Sequence, residues 1–389
     1  MKGPLSGIRV IDLTQVYNGP YATFLMAMGG ADVIKVEPPG GEHLRRRQRD
    51  GGGQFPFAML NGGKRFVELD LKTPEGLQTL EQLLADADLL VENFRPGVLA
   101  RLGLTKERLE EINPNLILAS SSGFGQVGAY RDYPAMDLAV QAMSGIVSVT
   151  GNRNDTPVKA GPAVSDFLAG IHLYAAAVTA LLERERTGKV RSVEVAMLEA
   201  SYPTLASNLG QYFANPETFV PRTGNRHPGM SLSPYNIYEA ADGYIAIVNN
   251  NDRQFQILSE CSGRNWHLDE RFATTRQRVR NEDALDAAIT EWTLTLPKEE
   301  IFQLLVKAGV PCAPVRELNE VVNDANLHDR GALKWIDHEE YGPLVVPTSP
   351  LVFEGLERSL RWNSRPLGAD QEEVLAELAP AAEKKEGTG

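Results

Sequence analysis

Asp166 stands alone in GPAVSDFLAG (161–170), a single carboxylate among small and apolar residues at the head of the most apolar helical stretch of the chain, DFLAGIHLYAAAVTALLERER. An aspartate there has two possible uses. It can cap the helix by accepting its free backbone N–H groups. Alternatively, held ionised by those N–H groups and by the helix dipole, it can act as a nucleophile. Position alone leaves both open. A second lead is EHLRRRQRD, which sets Arg45, Arg46, Arg47 and Arg49 after a Pro-Pro-Gly-Gly turn that follows a strand end. Such a run is either a solvated loop or a grip for a carboxylate or phosphate. A third is the loop RTGNRHPGM, where Asn225 and His227 sit among Pro, Gly and Arg.

Other chemistries are poorly represented. GFGQVG (123–128) matches a dinucleotide fingerprint, but Pro134 interrupts the helix that would have to carry a pyrophosphate at its N-terminus. No HExxH, Walker or GxSxG motif occurs, and the six histidines are scattered, so no metal site is expected. His172, inside the apolar helix, reads as a packed core residue. Cys261 and Cys312 are far apart and read as core thiols. A net charge of −12 argues against a nucleic-acid partner. The N-terminus runs straight into a strand pattern, and no long uncharged apolar run stands out as a bilayer span, so a cytoplasmic protein without a membrane partner is expected.

These residues need a scaffold, and the first half of the chain alternates strand and helix patterns. GIRVIDLT, ADVIKVE, RFVELDL, DLLVENF and LILASSSGF read as strands, with helical spacing in NGPYATFLMAM and in TPEGLQTLEQLLADA, where a Thr cap precedes Pro. That order predicts an α/β fold with a Rossmann-like large domain and a mostly parallel sheet. SVEVA is a further strand entry before a second long helical stretch. A smaller α+β domain follows, with strands around Asp-Gly in NIYEAADGYIAIV and three amphipathic helices. The expected boundaries are 1–215 for the first part of the large domain, 216–233 for a linker or site loop, and 234–322 for the small domain. Residues 323–378 return to the large domain, and 379–389 form a disordered tail.

Taken together, RVIDLTQVYNGPYATFLMAMGGADVIKVEPPGGEHLR, NGGKRFVELDLKTPEG, VENFRPGVLARLGL, SSSGFGQVGAYRDYPAMDLAVQAMSG, GPAVSDFLAG, RTGK, RTGNRHP, GVPCAPV and PLGAD follow an order that resembles the class III coenzyme A transferases over essentially the whole chain. The resemblance implies an enzyme that moves CoA between carboxylic acids through a covalent intermediate on Asp166. It implies an interlocked homodimer, and coenzyme A thioester as substrate with no tightly bound cofactor. Backbone N–H groups near Tyr17 and Asn18 would meet the oxyanion. Val16, Lys64, Asn93, Phe94, Arg95, Arg101, Phe124 and Asp137 would contact CoA. Cations beside rings suit a ligand with phosphates and adenine, although Phe94 serves equally as core. Arg101, on an exposed helix end, suits a phosphate.

Departures from the family pattern bear on the acid. The run of glycines that formyl-CoA transferases carry is mostly missing from GNRHPGM, which points away from oxalate and formate and towards a larger acyl group near His227 or Asn225. Arg45, Arg46 and Arg47 could then pair with the far carboxylate of a succinyl, mesaconyl, malyl or itaconyl group. The related α-methylacyl-CoA racemases place a histidine where Met136 stands, and a thioether cannot carry the proton. A noncatalytic CoA-binding protein is the other alternative.

Overall fold

The computed structural model describes residues 3–47, 55–358 and 362–378. Arg49 and the expected tail at 379–389 lie outside the described residues. Six strands form one parallel sheet: β1 (Arg9–Asp12), β2 (Asp32–Glu37), β3 (Arg65–Glu68), β4 (Leu89–Glu92), β5 (Ile117–Ser122) and β6 (Val193–Ala196). Their spatial order is β3-β2-β1-β4-β5-β6. Both faces are covered, so neighbouring apolar residues go to opposite cores. Ile11, Ile34 and Leu90 pack under helix α2 (Pro74–Ala85). Val10, Val33 and Leu89 face helix α4 (Val164–Thr187) through Leu173 and Ala177. The chain leaves β1 in one direction and β4 in the other. This order creates a crevice at the carboxyl ends of those two strands, where α/β sheets hold ligands.

The local signals explain the helices. Thr73 accepts from the Gly76 N–H at 3.1 Å, with Pro74 at the first helical position of α2. α4 ends where Gly188 takes a left-handed conformation and donates to the Arg184 carbonyl at 2.8 Å. Contrary to the sequence expectation, α4 is long and apolar enough, by length and composition, to cross a membrane. Its buried residues pack on the sheet through the core cluster of Leu173, Ala177, Ala180 and Leu181. Gly170 lets α4 approach α1 (Asn18–Met28), because a Cβ there would lie 2.6 Å from the Asn18 carbonyl oxygen.

The chain divides into two compact units. One takes in the chain up to Met143, Pro162–Ser201 and the chain from Val322 on; the other is Ser144–Gly161 with Tyr202–Val321. At the last junction, between Val321 and Val322, the chain returns to the first unit. The earlier junctions fall elsewhere than 215, since 144–161 and 202–233 go with the second unit. That unit holds the antiparallel sheet of β7 (Tyr235–Ala240), β8 (Gly243–Val248) and β9 (Cys312–Pro314). Helices α5 (Asp252–Cys261), α6 (Glu282–Thr293) and α7 (Lys298–Lys307) cover it. The β7–β8 turn is Ala241-Asp242, one residue before the expected Asp-Gly, since Ala240 pairs with Gly243. The first unit also carries a separate hairpin, β10 (Leu333–His338) and β11 (Gly342–Pro347).

Candidate active site

A cleft of about 320 Å³ opens at the crevice. The loop after β1 supplies Gln15, Val16 and Asn18; the loop after β4 supplies Asn93–Pro96. The loop after β5 supplies Ser122–Phe124, and Met197 follows β6. Asp166 enters from the first turn of α4, with Met136 beside it on the lining. Four strand ends and one helix start therefore converge on one carboxylate.

Asp166 does not cap α4. The N-cap is Ala163, without a side-chain cap, and Asp166 is the third helical residue. The cap comes from Asp137, at the start of helix α3 (Asp137–Ser144), whose Oδ1 accepts from the N–H groups of Ser165 at 2.9 Å and Asp166 at 3.3 Å. Gln141 donates to its Oδ2 at 2.6 Å. Asp137, expected to contact CoA, is thus committed to the helix start. This also corrects the expectation that helix N–H groups hold Asp166 ionised. Its carboxylate accepts no hydrogen bond from the described residues, the residue is only 8% exposed, and burial together with the nearby Asp137 charge pushes its pKa up to about 7. The group is a desolvated, poorly solvated base facing a cleft.

The loop after β1 is strained. Val16, β-branched, has φ of +68°, a conformation costing about 1–3 kcal/mol that persists only where its surroundings over-determine it. Asn93 supplies part of that constraint: its Oδ1 accepts from the Gln15 N–H at 2.8 Å, and its Nδ2 donates to the Gln15 carbonyl at 2.8 Å and to Asn18 Oδ1 at 2.6 Å. Asn93 therefore lines the cleft but spends its amide on the loop. Asn18 Oδ1 also accepts from the Gly19 N–H. The Tyr17 ring stacks on Phe167 at 6.1 Å, and its hydroxyl accepts from Arg47 at 3.3 Å.

The other expected residues divide into two groups. Arg95, Phe94 and Phe124 line the cleft, Phe94 also packing on the core cluster behind it. Arg101 is exposed at the end of a short helix. A Cβ added to Gly97 would lie 3.4 Å from Arg101 Nη1 and 3.7 Å from Arg131 Nη2, so both guanidinium groups pass over this glycine. Arg131, itself on the cleft lining, was missed because AYRDYP reads only as a loop; a base in the loop after β5 was the available signal. Phe124, Tyr130 and Tyr133 make an aromatic cluster beside it.

Two cations are corrections. Lys64, expected at CoA, is 0% exposed and, from the residue just before β3, directs its ammonium inward to Asp12 at 2.9 Å. Arg45, expected at a substrate carboxylate, is forked on Glu37 at 2.9–3.2 Å and lies 4.0 Å over the Phe57 ring. Its charge is already matched. Arg46 is exposed. Asn225 and His227 belong to the second unit: Asn225 is exposed, while His227 Nδ1 accepts from the Gly229 N–H at 3.1 Å and burial lowers its pKa. GFGQVG is a loop, followed by a helix only at Asp137. Among the described residues, no group of His, Cys, Asp or Glu could hold a metal.

Comparison with known proteins gives the chain a family. Residues 5–371 match CoA-transferase family III. The chain is 36% identical to succinate–glutarate CoA-transferase of Agrobacterium fabrum over 97% of this chain and 96% of that protein. It is 37% identical to acetyl-CoA:oxalate CoA-transferase of Acetobacter aceti over 91% and 90%. A crystal structure of a CAIB/BAIF family protein from Brucella suis superimposes with a TM-score of 0.85 at 34% identity, over 97% of this chain and all of that one. A switch-point cleft with a desolvated aspartate, and a family match spanning almost the entire sequence, lead to one conclusion: the chain belongs to CoA-transferase family III and is a CoA-transferase.

Proposed function

We propose that the protein moves CoA between carboxylic acids through a covalent intermediate on Asp166. The observation that carries this reading is a carboxylate that accepts no hydrogen bond from the described residues, buried at the head of α4 and lining the cleft. Asp166 attacks the thioester carbonyl of the donor, forming a mixed anhydride and expelling CoA thiolate. The thiolate attacks the aspartyl carbonyl, giving an aspartyl-CoA thioester and releasing the donor acid. The acceptor carboxylate then attacks that thioester and expels the thiolate, and the returning thiolate takes the acceptor's acyl group and frees Asp166. Each tetrahedral species needs fixed donors, for which the N–H groups of Tyr17 and Asn18 are the candidates, the Val16 N–H being directed to Glu42 Oε2 at 3.5 Å. Arg95, Arg101 and Arg131 give the rim of the cleft the charge that CoA phosphates require.

The acid is a dicarboxylate in this reading, of the succinyl, mesaconyl, malyl or itaconyl kind, transferred between two molecules or between the two ends of one diacid. The relative named for succinate and glutarate supports it, whereas the one named for oxalate works on the acid from which the loop GNRHPGM points away. Arg47, poised at Tyr17, replaces Arg45 as the candidate partner for a far carboxylate. The working unit is a homodimer, supported by the exposed apolar stripe Ile171, Ala175 and Leu182 on α4. Intact-protein mass spectrometry with a panel of short acyl-CoAs tests the chemistry. An adduct cleaved by hydroxylamine and absent in Asp166→Ala is the expected result. Tight CoA binding without any adduct sinks the covalent route.

A further inference from the structure

Beneath the loop that carries Val16–Asn18 lies a cluster of charge that the transfer steps do not use. Asp12, Lys35 and Lys64 are each 0% exposed. Asp12 ends β1. Its Oδ1 accepts from the Thr14 N–H at 2.8 Å and from Thr14 Oγ1 at 2.5 Å, and its Oδ2 accepts from Thr23 Oγ1 at 2.7 Å. The Lys64 ammonium donates to Asp12 Oδ2 at 2.9 Å, Asn61 Oδ1 at 2.7 Å, Thr23 Oγ1 at 2.8 Å and the Pro20 carbonyl at 3.2 Å. The Lys35 ammonium donates to the Thr14 carbonyl at 2.7 Å.

Two ammonium groups, of which Lys64 pairs directly with Asp12 and Lys35 lies within reach of its charge, therefore hold main-chain oxygens at Thr14 and Pro20, the two ends of the segment containing Val16, Tyr17 and Asn18. A buried ion cluster is a poor device for stability, since apolar residues of the same volume often do as well. It is a good device for fixing backbone that would otherwise relax. Val16 at φ +68° is such backbone. The contact is close-fitting as well: a Cβ on Gly19 would lie 2.4 Å from Thr14 Cβ, so the segment folds tightly over the cluster.

We infer that Lys64 and Lys35 are positioning residues for the transfer reaction, clamping Thr14–Pro20 so that the N–H groups of Tyr17 and Asn18 stay aimed at the reacting carbonyl. This rests on the covalent route at Asp166. Neither lysine touches the cleft. Their effect passes through the loop.

The experiment compares wild type with Lys64→Met and Lys35→Met, and with Thr23→Val, which removes one hydroxyl from the cluster while keeping its shape should the lysine variants fail to fold. Steady-state rates with the productive acyl-CoA and amide exchange of peptide 14–20 are both read. The clamp predicts that kcat falls about 30-fold while KM for the acyl-CoA moves less than about threefold, because misaligned donors cost rate more than binding. It also predicts exchange at least about tenfold faster in 14–20, with the β10–β11 hairpin unaffected. Unchanged kcat, even with a loosened loop, overturns the inference, as does a uniform rise in exchange with normal turnover per folded molecule. A wild type that forms no adduct at Asp166 refutes the covalent route instead, and the exchange pattern still decides whether the clamp exists.

Discussion

Asp166 differs from an ordinary surface aspartate in two ways, and both are measurable. With its pKa pushed up to about 7, the carboxylate is largely protonated in mildly acidic solution. kcat/KM should therefore rise tenfold per pH unit below about 7 and level off above it, as seen in a pH–rate profile of the free enzyme. Asp137→Asn removes the neighbouring negative charge while keeping an oxygen for the Ser165 N–H, so the acidic limb should move to lower pH. A limb that stays in place would show that burial acts without Asp137. Folding raises this pKa, so ionised Asp166 opposes folding, and the opposition is fully present above about pH 7 and vanishes as pH falls below about 4. Asp166→Asn, expected to be inactive, should be more stable by on the order of 4 kcal/mol at pH 8 and no more stable at pH 3.5, measured by denaturant unfolding.

The elements were legible in the sequence to the degree that their determinants are local. Strands buried on both faces read as apolar runs, and β1 to β5 appear where such runs occur, whereas the edge strand β6, VEVA, is only partly buried. The Thr73 cap and the Gly188 terminator were equally plain, being side-chain and glycine signals within one turn. Lys64 and Arg45 were not legible. In NGGKR and EHLRRR they look like exposed loop cations, and what buries Lys64 is Asp12, 52 residues away and adjacent only once the sheet closes. Asp137 escaped for a similar reason, because its partners lie 28 and 29 residues on. Gly170 states the element-level constraint most directly. Gly170→Ala would drive a methyl group against the Asn18 carbonyl, push α1 from α4, and cost about 2 kcal/mol by overpacking. Because Asn18 borders the cleft, kcat should fall in the same variant; thermal unfolding and turnover measured together check both.

At the scale of the whole molecule, the stripe Ile171, Ala175 and Leu182 makes a separate claim. Two of these side chains are 46% and 48% exposed on a helix otherwise packed against a sheet. Sedimentation should give twice the 42.6 kDa chain mass, and Ile171→Arg with Leu182→Arg should shift the species towards a single chain. A wild type that sediments as one chain removes the dimer proposal. The topology has a wider consequence. Except for Asp166, Asn18 and Met197, which stand in the first turns of helices, the groups that line the cleft hang from strand ends and loops, whereas the strands beneath them are occupied with packing. The lining of the cleft and the packing of the frame are thus inherited by different stretches of chain, so the loops around Asp166 are free to change in sequence while the frame beneath is left as it is.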